Sequence, residues 1–332
     1  MQHSDVSEST GSKIPPVQSE KTETILPVRR TGPIVAGVIV ALLAAMLLQG
    51  IITNPRFEWN VVAQYLFHPT VIRGIGYTLA FTFISMVIAI TLAVVLAIMR
   101  QSINPVLRGV SWFFIWFFRG TPVYTQLVFW GLFSVLVPKI AVGIPFTSIE
   151  FFSIDSATIM SAFVAACIGL SLNEAAYLSE IVRAGLQAVD TGQVEAAQAL
   201  GMTRSHIMRR IVLPQAMRII VPPTGNETIG MLKTTSLVLA VPFTLELQFA
   251  TNAIANRIYK PIPLLIVACF WYLLITTIFM GLQALLERHF GKGFSAKTIG
   301  ALNSRDTSKA DDSLSQSSIS KQNEATFNGL TA

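Results

Sequence analysis

Apolar residues run in blocks of about twenty along this chain, separated by short polar stretches and framed by long polar ends. A helix needs about 20 apolar residues to cross a bilayer, and six blocks meet that length. They lie at about 33–53, about 75–99, within 109–137, about 157–178, about 221–246 and about 262–286. The third is interrupted by Arg119-Gly120-Thr121-Pro122, and the fifth, the least apolar, holds Glu227 and Lys233. A kink is expected in each. Residues 1–32 are rich in Ser and Thr, carry mixed charge and include Pro15 and Pro16. Such a segment cannot bury a core, so it is expected to be disordered. Four acids (Asp5, Glu8, Glu20, Glu23) make it a poor secretory signal peptide. Residues 291–332, ending in Ser, Asp, Asn and Gln, are read as a second disordered tail.

Composition decides the class. Of 332 residues, 52% are hydrophobic and 13% charged, whereas soluble domains carry about 25% charged residues. That excludes a cytosolic enzyme and leaves an all-α integral membrane protein, with the lipid bilayer as its first partner. Cys167 and Cys269 both lie in apolar runs, which offers neither a disulfide framework nor a CxxC site. The four histidines are scattered and suggest no metal ligands. The net charge of +6 does not point to nucleic acid, because the cations are not gathered on one face. Their placement reads as topology instead. With a cytoplasmic N-terminus, 17 of the 24 Lys and Arg fall inside and 5 outside, and in the short loops alone 7 inside exceed 5 outside. Both termini are therefore expected in the cytoplasm.

The segment 195–223, EAAQALGMTRSHIMRRIVLPQAMRIIVPP, is too polar to span and too ordered for a plain loop. Glu195 to Leu200 favour a helix, and Gly201 can supply the left-handed residue that stops it. Thr203 can cap a second short helix that Pro214 is expected to terminate. From physics alone, an amphipathic helix laying Arg204, Arg209, Arg210 and Arg218 on anionic lipid is an equal reading.

Glu195-Ala196-Ala197, three residues, Gly201, nine residues and Ile211-Val-Leu-Pro214 resemble the EAA loop of bacterial ABC importer permeases. Flanking segments resemble the polar amino-acid branch of that family: YTLAFT at 77–82, FFRGTP at 117–122, AAYLSEIVRAG at 175–185, LPQAMR at 213–218 and GNETIGMLKTTSL at 225–237. Ala184 departs from the Gly that the family usually has after the Arg. The resemblance covers about 74–290. It implies a type I importer fold, a five-helix core to which the span at 33–53 is an addition, with the EAA loop at about 192–218. It further implies a subunit of the bacterial inner membrane that pairs with a second permease chain. ATPase subunits would dock below, and an extracytoplasmic solute-binding protein would deliver a polar amino acid. Glu195, Ala196, Ala197, Gly201 and Pro214 would then form the ATPase-coupling segment, although the residues alone leave open that Glu195 only favours a helix N-terminus. No cofactor is expected on this chain. Gly225 and Gly230 have P-loop spacing, but Met231 stands where a Lys is required, so ATP and magnesium belong to the partner and the chain is a transporter subunit with no catalytic residues.

Ionisable groups inside spans are site candidates by default. Glu174, beside Asn173 and one turn before Tyr177, is the foremost. A carboxylate at that depth costs roughly 2.5–3.5 kcal/mol on insertion scales, so it should face a wet cavity or a partner. If it meets substrate, cationic amino acids are mildly favoured; if it neutralises Lys233, no preference follows. Glu180 and Arg183 read as an i,i+3 ion pair. Arg119 suits either a ligand carboxylate or the carbonyls freed by the helix break. Lys233 can snorkel, face the pore or pair with Glu227. The rival class is a secondary transporter or channel that works without ATP. It would favour inverted repeats with matching broken helices, and the EAA-like segment has no counterpart in the first half.

Overall fold

The computed structural model describes residues 31–143 and 150–290. Apart from Thr31 and Gly32, the two tails expected to be disordered lie outside the described residues. The chain divides into two units, residues 1–55 and 56–332. In the first, α1 (Thr31–Thr53) is a 23-residue apolar helix whose described side chains are exposed, as a helix surrounded by lipid would be.

The second unit is helical throughout its core. Short α2 (Trp59–Leu66) leads into α3 (Pro69–Arg100), where His68 accepts from the Thr70 N–H at 3.3 Å and Pro69 occupies the first turn. Asn104 accepts from the Val106 N–H at 2.9 Å and opens α4 (Pro105–Gly120). The expected break follows: the chain is extended at Thr121 and Pro122 and resumes as α5 (Val123–Gly131) and α6 (Phe133–Leu136). A two-stranded antiparallel hairpin comes next, β1 (Lys139–Gly143) and β2 (Glu150–Asp155), with Ile140 opposite Ile154 and Val142 opposite Phe152. The run-length reading missed it, because paired alternating strands leave no long apolar block. After one turn of α7 (Ser156–Ile159), Ser161 caps α8 (Ala162–Gln187). This helix extends nine residues past its expected end at 178. Glu180 and Arg183 lie within this extension and neutralise each other at 2.6 Å.

α8 is the most buried of the long helices and packs chiefly on α3, with α4 and α5 on it as well. Past α8, Asp190 caps α9 (Thr191–Ala199), and α10 (Arg204–Ile207) follows a turn at Gly201. Pro214 does not end the second short helix. The chain continues through one π turn (Met208–Val212) into α11 (Leu213–Thr234), with Pro214 in its first turn. A proline there lacks the N–H that an i→i−4 ladder needs, and the wider π register lies directly before the gap. The fifth expected span is thus a helix from 213 to 234, a 3₁₀ stretch (Thr235–Ala240) and a nonhelical turn, not a continuous helix to 246. α12 (Leu247–Ile258) and α13 (Pro261–Phe290) complete the unit. Of the described helices, α1, α3, α8 and α13 are each long and apolar enough to cross a bilayer.

Small residues set the closest crossings, as is usual where lipid surrounds the helices. A Cβ on Gly185 of α8 would overlap the Ile220 side chain of α11, and one on Gly74 of α3 would come within 2.9 Å of the Leu247 Cα. Beside that second crossing sits Glu246, fully buried at the N-cap of α12. Its carboxylate accepts from the Gln248 N–H (2.7 Å), the Thr78 hydroxyl of α3 (2.8 Å), the Tyr272 hydroxyl of α13 (2.5 Å) and, at 3.5 Å, the Thr235 hydroxyl. Replacing Glu246 with Ala strands these donors away from water and is expected to cost about 1–3 kcal/mol. Thermal unfolding of the full chain in detergent should show a lower midpoint for Glu246→Ala, with Glu246→Gln in between. An unchanged midpoint for Glu246→Ala would show that the knot carries no stability.

Candidate functional site

The break between α4 and α5 leaves backbone carbonyls without helical donors, and in a membrane these must be met inside the protein. Gln126, buried on α5, does this. Its amide donates to the Phe118 carbonyl (3.0 Å), the Thr121 carbonyl (3.1 Å) and the Thr121 hydroxyl (2.6 Å). Asn173 on α8 donates to the same Phe118 carbonyl at 2.9 Å and to the Gln126 side-chain oxygen at 3.3 Å. Arg119 is not used for these carbonyls. Its guanidinium lies 5.1 Å from the centre of the Tyr177 ring, within range of a cation–π contact.

Glu174 follows Asn173 on α8. It is 7% exposed, and its Oε1 is buried with no hydrogen-bond partner among the described residues. Glu227 of α11, half-buried, lies within electrostatic reach of it. Two carboxylates from facing helices therefore come within electrostatic reach of each other, and Arg119 and Tyr177 form a pair of their own. Lys233 does not join them. It is exposed in the last turn of α11 and makes no ion pair with Glu227 or Glu174. The alternative in which Lys233 neutralises either acid is not what this chain adopts. Glu180 and Arg183 form the local pair expected of them. The sequence reading did not single out Gln126 or Glu246, although a lone polar residue inside an apolar stretch was the available signal for both.

The polar segment forms a separate site at the other end of α8. Gly201 has φ +77°, the Gly201 N–H donates to the Gln198 carbonyl (2.9 Å) and the Met202 N–H to the Ala197 carbonyl (3.1 Å). That double closure is a Schellman end, which a side chain at 201 would strain. Thr203 holds the N-cap position of α10 by its backbone, without a side-chain capping bond. Ala197 is buried in a cluster with Val189, Ile207, Val212, Ala216 and Ile220. Glu195, Ala196 and Leu200 are exposed. Glu195 lies beyond the first turn of α9, which holds no acid, so helix-terminus stabilisation is a weak account of it. A 2.6 Å bond from Gln215 to Gln193 ties α9 to α11. The result is a small rigid knob, anchored by Ala197 and offering an acid, an alanine and an exposed leucine.

Residues 89–292 match the family described as binding-protein-dependent transport system inner membrane component. The chain is 48% identical over 276 residues to the arginine transport system permease protein ArgU of Corynebacterium glutamicum, covering 83% of this chain and 85% of that protein. It is 38% identical over 229 residues to the probable amino-acid permease protein YxeN of Bacillus subtilis, covering 68% of this chain and 93% of that one. A crystal structure of an amino acid ABC transporter with histidines is similar at 33% identity and a TM-score of 0.57, covering 68% of this chain and 97% of that chain. An apolar multi-helix core, a polar knob at one end of it and these likenesses agree: the chain belongs to the family of binding-protein-dependent transport system inner membrane components, as a membrane-spanning permease subunit of the amino-acid ABC transporter kind.

Proposed function

We propose that this permease carries a polar amino acid inward, with cationic amino acids favoured, and that Glu174 meets the substrate. The unpartnered Oε1 of Glu174 is the observation that carries this reading. A buried carboxylate oxygen without a donor is costly unless something supplies one, and an ammonium or guanidinium does so. Glu227 adds a second negative charge on the facing helix, while Arg119 and Tyr177 offer a guanidinium and a ring for the carboxylate end. Lys233, exposed farther along α11, would offer a second cation. An arginine permease at 48% identity is in keeping with this preference. Family membership removes the ATP-independent rival.

The same reading gives the knob its role. Glu195, Ala196, Ala197 and Gly201 would seat in a groove of an ATPase subunit, with Pro214 joining the knob to α11. A second permease chain, the same or homologous, would complete the pore, and an extracytoplasmic binding protein would deliver the solute. Both termini and residues 183–220 would face the cytoplasm of a bacterial inner membrane, as the cation distribution supports.

Three measurements test this. In proteoliposomes holding the complete transporter, Glu174→Gln should raise the KM for arginine at least about tenfold, since losing a charged hydrogen-bond partner costs that much. Glutamine uptake should change less. Equal arginine kinetics in Glu174→Gln, or strongest competition by glutamate, would defeat the charge preference.

Gly201→Pro and Glu195→Lys should leave the chain inserted, while substrate-stimulated ATPase activity and uptake fall together. Wild-type uptake by both variants would remove the knob from coupling.

For topology, a membrane-impermeant thiol reagent on intact cells should label a cysteine placed at Tyr259, which is 90% exposed, and spare one at Gln198. The reverse pattern would invert the orientation.

A further inference from the structure

Between α3, α8, α11 and the end of α13, beside the π turn, lies a cavity of about 490 Å³. Its walls include Ile90, Val94, Val182, Met217, Val221 and Leu286. Thr224 and Thr228 also line it, but their hydroxyls turn back onto their own helix, donating to the Ile220 carbonyl (2.7 Å) and the Thr224 carbonyl (2.9 Å). They present methyl groups to the space. A polar amino acid would find almost nothing there to replace its lost water, whereas a hydrocarbon chain would lose nothing.

The cavity does not stand alone. Leu213 and Met217 also line an adjoining cleft whose other walls are Pro214, Arg218, His289 and Phe290. Arg218 is exposed and makes no hydrogen bond or ion pair among the described residues. Glu287, the acid of that turn of α13, accepts from Gln283 at 2.8 Å. Two basic side chains thus stand at the mouth of an apolar chamber, near the end of a membrane-spanning helix where lipid headgroups lie. That pairing of cationic mouth and apolar interior is complementary to one class of molecule, a phospholipid of negative charge.

We propose that this chain holds one anionic phospholipid, its acyl chain in the cavity and its phosphate at Arg218 and His289. The lipid stoppers the space between α3 and α11 next to the knob. Neither Glu174 nor Glu227 lines the cavity, and the proposal does not depend on which solute is carried.

Native mass spectrometry of the full chain in mild detergent tests it, with dioleoylphosphatidylglycerol and dioleoylphosphatidylcholine offered in equal amounts. Wild type should retain one phosphatidylglycerol in preference by roughly fivefold, the effect of about one basic residue near a membrane surface. Arg218→Gln with His289→Gln, both changes at the surface, should bring the ratio near unity without loss of folding. Val182→Phe, which fills the chamber, should reduce retention of both lipids. Equal retention by wild type, or an undiminished preference in the double variant, overturns the proposal. Displacement of the lipid by inorganic phosphate alone would overturn it too, because the chamber would then be idle. A disulfide between two copies through a single cysteine at Val221, in a chain otherwise without cysteine, would show a second copy seated there instead.

Discussion

A carboxylate between helices in a bilayer has no water to fall back on, so every donor it needs must come from the protein and be held in place. Glu246 is in that position. Its donors come from α3, from the 3₁₀ stretch after α11, from α12 itself and from α13. Each hydroxyl can reach the carboxylate only if its element sits at one depth and one rotation. Dispersion among Leu and Val side chains tolerates sliding; this knot does not. The close crossing at Gly74 against Leu247 lies next to it, so small-residue packing and polar bonding fix the same junction from two directions.

The broken helix works by the same rule with a different outcome. Breaking α4 from α5 exposes carbonyls, and Gln126 and Asn173 take them up. That relieves Arg119 of structural duty and leaves it stacked on Tyr177. Neighbouring residues of one helix thereby differ in bonding: Asn173 closes the break, and Glu174 beside it keeps an oxygen unpaired. A site with spare bonding capacity can exist in the membrane here because the adjacent amide groups meet the backbone's demands.

What the sequence disclosed, and what it hid, follows the range of each interaction. The apolar runs of α1, α3 and α13 are local and imposed by bilayer thickness, so their lengths could be read directly. The stop at Gly201 is local too, because a left-handed backbone selects glycine within one residue. The Glu180–Arg183 pair is local as well, and its i,i+3 spacing was enough to read it. Pro214 misled: its missing donor breaks a ladder only if the register stays fixed, and the π turn changes the register. The partners of Glu246 could not be read, because Thr78, for one, lies 168 positions away. No window along the chain contains both. Gln126 was missed although Thr121, which it meets, lies five positions away; Glu227 was named, but its place opposite Glu174 came from a helix brought alongside by folding.

The continuity of the helix past Pro214 has a mechanical consequence. From Arg204 to Thr234 the backbone runs as one helical rod with a π turn in it, roughly 45 Å long at about 1.5 Å per residue. One end is packed into the knob through Ile207 and Val212, and Glu227 rides near the other. No loop lies between them to absorb a displacement. A tilt at the knob end therefore arrives at Glu227 as a tilt, unless the rod bends at the π turn with Pro214 or at Pro222 and Pro223, where the ladder lacks two donors. Those two prolines are one joint of a lever whose handle is the knob and whose tip carries Glu227.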